Sequence, residues 1–512
     1  MLQTGHRWRA WALLLYAALY IVAALGILAK PLNRGDYWVH MAVTRTLAEG
    51  KDLGVIPIGH NRAALDRLND PEHALWADVM RHTGWKATNV LVLAGLVNLA
   101  VLLGGIFFLA RSLSRNWIMA ACLPAVLLLV WGTGYLWSSE YSFSVLPVFA
   151  SYPSILAWGL SFFALGLVHR WLCGGGRRWL IVAAALSGLA ITVHALTAVI
   201  FTLPFPVMWV WLRRVSWRRR MAVCIFPALA ILISMLWPHN SLFEQLRTQF
   251  QRGAQPGANY IDNRFLLSYG LLPLGPIWAG MLFVLWAPRS WRRPLKAVIA
   301  VYGLAWIGLS LLGVPLAHRF VFYLAFALHL AIVGALVRGA RWWTEFRGEK
   351  SFAQISQMGA AILVLLFIPW APIQVGRVAA ACRDRIAFRT HSLRPSEVQR
   401  YEESCRLLRK IMPEGAHVMV DQHSYRILAA FGVPVVVDGG LIEGHFDALD
   451  PDTLDVVKRS AEATGATHFL VDHILLGRSE LKPWEQKGIE SLGRVTRLTP
   501  DFTLVELRRG KE

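Results

Sequence analysis

Residues 88 to 110 read TNVLVLAGLVNLAVLLGGIFFLA, an apolar run without one charged side chain, flanked by Lys86 and Arg111. At about 1.5 Å of rise per residue, a helix of that length covers the roughly 30 Å of hydrocarbon in a bilayer. Comparable blocks centre on residues 11 to 29, 117 to 137, 153 to 171, 179 to 193, 197 to 212, 221 to 238, 266 to 287, 297 to 314, 320 to 338 and 355 to 373. Together they predict a polytopic α-helical membrane protein with about eleven transmembrane helices. Composition agrees, because 55% hydrophobic and 16% charged residues over 512 positions are too apolar for an ordinary soluble domain.

The stretch between Arg178 and Arg213 is too long for one span and fits a tight hairpin turning near His194. Charge checks the count. With Arg7 and Arg9 cytoplasmic, every second connection should be basic, and those connections hold Arg111 and Arg115, Arg170 to Arg178, Arg213 to Arg220, Arg289 to Lys296, and Arg338 to Lys350. The opposite short loops, around Glu140 and His194, contain no Lys or Arg. Much of the net charge of +20 is thus a topology signal and not a nucleic-acid footprint. The first block exceeds a signal-peptide core and lacks a small-residue cleavage site, so it reads as a retained helix.

The chain divides into a transmembrane module, residues 1 to 379, with outer loops at 30 to 87 and 239 to 265, and a C-terminal soluble α/β domain, residues 380 to 512, on the outer (periplasmic) face. In the tail the pattern changes to helices at Ser396 to Met412, Ser424 to Phe431, Asp450 to Thr464 and Lys482 to Leu492. Strands alternate with them at His417 to Val420, Val433 to Val437 and Thr467 to Val471, and a hairpin closes the chain at Arg494 to Thr499 and Phe502 to Leu507. No Gly-rich phosphate loop is present. Cys382 and Cys405 either pair or stay as two thiols. No two histidines show metal-ligand spacing on one helix, so no dedicated metal motif is assigned; cofactor use stays open, a divalent cation included.

The first outer loop opens with Asn33-Arg34-Gly35-Asp36-Tyr37-Trp38-Val39-His40, then a helical run from Met41 to Glu49. Asp36 either caps that short helix, with Tyr37 and Trp38 at headgroup depth, or is a site carboxylate. Glu140, the only charge in its loop, is either a water-facing rim group or a site group. Tyr152, before Pro153, reads as an interfacial anchor or a sugar contact. His194 and His239, at outer helix ends, are either packing residues or acceptor contacts. Arg319, after His318 in the turn Pro315-Leu316-Ala317-His318-Arg319, either snorkels to headgroups or meets an anion.

An apolar helix, an outer acid, aromatics, an amphipathic helix and then Gly50 make this start similar to the GT-C membrane glycosyltransferases, which include protein O-mannosyltransferases and lipid A aminoarabinose transferases. The resemblance covers layout over nearly the whole chain. It implies an inverting glycosyltransferase whose partners are a polyprenyl-phosphate sugar, membrane lipids and an unidentified acceptor, with no nucleic acid; the Arg bias and the absence of eukaryotic targeting marks point to a bacterial inner membrane, with the N-terminus cytoplasmic. It implies Asp36 as general base, Glu140 in support, and Arg319, with His318, on the donor phosphate. Arg247 and Arg264 in the loop at 239 to 265 become further phosphate contacts, or stay solvated. Gly35 stands where many relatives have a second acid beside the first, which leaves metal use open. A polysaccharide polymerase or ligase, or a transporter, is the competing reading; few intramembrane acids and no inverted repeat argue against transport.

Overall fold

The computed structural model describes residues 2–28, 36–51, 53, 69–114, 117–132, 140–239, 274–312, 317–347, 371–384, 395–412, 416, 418–420, 427–433, 449, 451–474, 476 and 479–508. Its main helices are α1 (Leu2–Leu28), α2 (Asp36–Ala48), α3 (Pro71–Thr83), α4 (Ala87–Leu113), α5 (Trp117–Leu129), α6 (Pro153–Leu172), α7 (Arg178–Thr197) and α8 (Pro204–Trp211). They continue with α9 (Trp217–Ser234), α10 (Arg289–Leu311), α11 (Phe320–Arg347), α12 (Ala371–Asp384), α13 (Pro395–Ile411), α14 (Pro451–Thr464) and α15 (Pro483–Leu492). The strands are β1 (Val418–Met419), β2 (His468–Asp472), β3 (Gly493–Thr499) and β4 (Phe502–Leu507).

Two compact units result, and they do not follow chain order. One comprises Met1–Ala29 with Leu93–Arg383, the other Lys30–Val92 with Asp384–Glu512. The sequence grouped residues 30 to 87 with the membrane module; by packing they fall with the C-terminal residues.

In the first unit, six helical runs among the described residues are long and apolar enough to cross a membrane: Arg9–Leu28, Ala87–Leu113, Pro153–Leu172, Arg178–Trp211, Arg289–Leu311 and Phe320–Gly339. Their exposed faces carry Trp11, Leu14, Ile181, Leu304 and Leu311, side chains suited to lipid. Small residues let helices touch. A Cβ on Gly159 of α6 would stand 2.8 Å from the Leu102 nitrogen of α4, so the two backbones meet where only glycine fits. The run from Arg178 to Trp211 is not one rod, because His194 has φ −152 and ψ 85 and a π-helical turn follows at Ala198–Thr202. After it the chain returns: Arg219, beyond α8, donates to Leu172 O at 2.7 Å beside the start of α7, and Arg213 lies within electrostatic reach of His169. That is the expected hairpin. The expected blocks at 266 to 287 and 355 to 373 lie partly or mostly outside the described residues.

Several of the arginines gather at one end of this unit. Arg9 and Arg111 lie 5.6 and 4.1 Å from the Trp117 ring, Arg170 donates to Ser112 Oγ at 3.1 Å, and Arg292 and Arg338 both donate to Ala287 O. Guanidinium planes over indole, with stems along the apolar helix ends, are how a membrane helix seats its basic flank.

In the second unit, the C-terminal residues form a four-stranded sheet in the order β1-β2-β4-β3, with β1 and β2 parallel and the other pairs antiparallel. Helices α14 and α15 cover it, burying Met419, Val457, Phe469, Val471, Ile489 and Val505 in one core. Helix α13 is keyed in place by buried polar bonds: Tyr401 donates to Asp472, and Ser404 to Asp501 at 2.5 Å. The expected strand at 433 to 437 falls almost wholly outside the described residues. Cys405 is a free, buried thiol, so the pairing with Cys382 is not formed. Helix α2 belongs to this unit as well. Trp38 packs 6.0 Å from Phe431, Arg45 donates to Ala430 O at 3.4 Å, and the bare backbone of Gly432, at φ 74, admits the Arg45 guanidinium. Tyr37 and Trp38 are therefore buried against protein.

Candidate active site

In the membrane unit, residues on either side of Glu140 are fastened to other helices. His329 Nε2 donates to Val130 O at 2.9 Å, which leaves Nδ1 as an acceptor for the Tyr141 hydroxyl at 3.3 Å. Gln374 on α12 donates to Gly132 O at 3.0 Å and accepts from Ser144 N at 3.2 Å. Glu140 sits between these ties at 0% exposure. The water-facing reading of this carboxylate is thereby removed. A buried carboxylate requires a counter-charge, and Arg377 of α12 lies within electrostatic reach of it.

Arg319 occupies a single 3-10 turn, Ala317–Arg319, at the start of α11 and is half-buried. It lies within electrostatic reach of Tyr323, one helical turn on, whose hydroxyl donates to Leu196 O at 3.5 Å. His194 Nδ1 accepts from Thr197 N at 3.3 Å and meets Thr197 Oγ1 at 2.8 Å, closing the hairpin turn. His194 thus has a turn-forming task, and Tyr323 ties that turn to Arg319. Aromatic rings complete the link: Tyr141 stands 4.6 Å from Trp158, and Trp158 5.7 Å from Tyr323. Glu140, Arg319 and His194, from three distant stretches, therefore lie at the N-terminal end of α6, away from the arginine end at Arg170 and Leu172.

Tyr152 is buried, edge-on to Phe149 at 5.0 Å. His239 is exposed at the end of α9 with its ring 6.2 Å from Trp237. Arg247 and Arg264 lie outside the described residues, as does the side chain of His318. Helix α2 begins at Asp36 itself; the Asp36 side chain too lies outside the described residues. No group of three ligating side chains suited to a metal ion occurs among the described residues.

Sequence reasoning missed Arg377. It fell between the last expected membrane block and the soluble domain, although a Gln and an Arg three positions apart, Gln374 and Arg377, place two polar groups on one helical face. It also missed α3, whose start is written in Asp70-Pro71-Glu72 and whose end is written in Gly84.

By sequence the chain matches no family model and no curated protein. By structure it matches solved proteins along nearly its full length. ArnT from Cupriavidus metallidurans bound to undecaprenyl phosphate aligns with a TM-score of 0.54 at 13% identity, covering 97% of this chain and 98% of that one. The same protein in the apo state gives 0.53 at 12%, covering 96% and 97%. The arabinofuranosyltransferase AftD from Mycobacteria gives 0.57 at 14%, covering 97% of this chain but 41% of AftD, so the chain spans less than half of that protein. The likeness establishes the fold: this is a polytopic helical membrane protein built on the same plan as ArnT and as part of AftD.

Proposed function

We propose that the chain is an inverting glycosyltransferase that moves a sugar from a polyprenyl-phosphate donor to an acceptor at the outer face of a bacterial inner membrane. The observation that carries the reading is the gathering of Glu140 and Arg319 at the end of the bundle away from the arginine belt, in a fold that in ArnT holds undecaprenyl phosphate. The arginine belt supports a cytoplasmic N-terminus, with the C-terminal domain in the periplasm and about eleven spans in all.

In this reading Asp36 takes the proton from an acceptor hydroxyl while the oxygen attacks the anomeric carbon. The new carbon–oxygen bond forms on the face opposite the phosphate, the old bond to the phosphate oxygen breaks, and the polyprenyl phosphate leaves as an anion. That anion is stable at neutral pH and needs little acid assistance, so the base and the phosphate clamp carry the chemistry. Arg319 offers a planar fork of donors to the phosphate, with His318, Arg247 and Arg264 as further contacts. Glu140, held by Arg377, shapes the same end of the bundle, and His194 and His239 serve the sugar or acceptor. No metal step is assigned.

Purified protein in detergent, given polyprenyl-phosphate donors carrying arabinose, aminoarabinose or mannose, tests this. Asp36→Asn is expected to lower transfer by about 100-fold or more. Arg319→Ala is expected to weaken binding of undecaprenyl phosphate itself by about tenfold. Full transfer in Asp36→Asn overturns the base assignment.

A further inference from the structure

Helix α3 opens on Asp70, whose extended backbone (φ −91, ψ 165) and Pro71 set up an N-cap. Asp70 Oδ1 accepts from Glu72 N at 2.8 Å and from His73 N at 3.0 Å, so the backbone fixes the carboxylate. Its second oxygen, Oδ2, meets His73 Nδ1 at 2.7 Å. The ring so oriented turns Nε2 toward α2, where it meets His40 Nδ1 at 2.9 Å with the two rings inclined by 22°. Asp70 and His73 are each 3% exposed, while His40 is half-buried. Three titratable side chains thus stand in a line running from a closed interior to α2.

We propose that Asp70, His73 and His40 form a proton relay serving the base at the start of α2. The proposal rests on the assignment of Asp36 as that base. Positions 36 and 40 are one helical turn apart and share a face of α2.

The contact between the two imidazoles holds one proton, and its position decides what His40 can do. In the neutral pair His73 Nδ1–H is committed to Asp70, so His73 Nε2 is an acceptor and His40 Nδ1–H donates to it. His40 Nε2, on the far side of its ring, then carries the lone pair. A proton that Asp36 has drawn from an acceptor hydroxyl passes to His40 Nε2, and the His40 Nδ1 proton moves to His73 Nε2. The charge comes to rest on His73 beside the Asp70 carboxylate, Asp36 is again a carboxylate, and no other bond changes. The reverse shift returns the proton to water between turnovers.

The surroundings suit that resting place. Burial works against a charged His73, yet Asp70, by charge and hydrogen bond, together with Glu72 outweighs it and raises the pKa above the usual histidine value. Arg45 of α2 is engaged elsewhere, with Glu49 just beyond the helix at 2.7 Å, and Glu49 in turn with Lys51 at 2.7 Å. The segment Ile427 to Val433 packed against α2 has no titratable side chain. A cap alone would need Asp70 but no second histidine, and perturbed buried groups of this kind concentrate at working sites.

The test measures kcat against pH, together with 15N NMR titration of histidine-labelled full-length protein in detergent. Wild type is expected to lose activity as pH falls through the relay's titration, which lies above 6.5. Asp70→Asn keeps the cap acceptor and removes the charge, so its activity limb and the His73 titration should both move down by about one pH unit or more. His40→Gln should remove the limb and lower kcat about tenfold with KM for the donor unchanged, a split that a purely structural role would not give. An inactive Asp36→Asn alongside unmoved pH limbs in both other variants overturns the relay alone. Full activity in Asp36→Asn overturns the base reading and the relay's task with it.

Discussion

Replacing Asp70 by alanine removes two distinct supports of α3, and their sizes can be set from the geometry. The cap bonds to Glu72 N and His73 N are lost, at about 1 kcal/mol for a buried N-cap. The bond to the buried His73 imidazole is lost as well, and a hydrogen bond to a charged partner contributes about 2 kcal/mol. The sum of about 3 kcal/mol should speed hydrogen exchange of the α3 amides by roughly 100-fold, at 1.4 kcal/mol per factor of ten. Mass spectrometry of the peptide covering Pro71 to Thr83 reads this directly in detergent. The His73 part has a defined pH window. Because the folded pKa is raised, its stabilisation is complete below about 6.5, the unfolded value, and disappears as pH rises through the folded pKa. The wild-type to Asp70→Ala ratio should therefore shrink toward the cap-only factor of about 5 in alkaline buffer. Asp70→Asn should keep the cap part throughout. Protection within about threefold of wild type in Asp70→Ala, or a ratio that grows with pH, refutes the reasoning.

Other substitutions probe the remaining contacts. Arg377→Ala should strip the buried Glu140 of its counter-charge at a cost of about 3 kcal/mol, and adding Glu140→Gln should recover part of it; a double-mutant cycle in thermal inactivation that shows additivity would count against the pairing. Gly159→Leu should force α4 and α6 apart and abolish a monodisperse detergent peak by size exclusion, whereas Gly308→Ala, in α10 with nothing within 4 Å of the added carbon, should keep that peak. Tyr401→Phe should leave Asp472 short of a donor and release α13 from the sheet, read as limited proteolysis near Glu402 at about tenfold lower protease.

How much of this was legible depends on the range of the signal. Apolar block length gave the membrane helices, and alternation gave β2, observed at His468–Asp472 against an expected Thr467 to Val471, and α13, observed at Pro395–Ile411 against an expected Ser396 to Met412. The hairpin at His194 was readable because two arginine clusters bracket a stretch too long for one span. Burial of Glu140 was not readable, since its counter-charge Arg377, and the His329 and Gln374 that tie the residues on either side of it, come from helices far along the chain. The histidine pair was hidden for the same reason: its members lie 33 positions apart, in a stretch read as loop, and neither carries a local pattern. Periodicity reports what a segment buries, and it is silent about which distant segment completes the contact.

The grouping of Lys30–Val92 with Asp384–Glu512 has a consequence for biogenesis. On the ribosome helix α2 emerges early, yet the surface that receives Trp38 and Arg45 is translated only after every other segment of the membrane unit. Until then those side chains wait uncovered, a long-range closure of the kind that slows folding and exposes a chain to chaperones and proteases. A premature stop near residue 384 would thus leave the bundle in place while depriving the opening helix, and Asp36 at its tip, of the support that holds it.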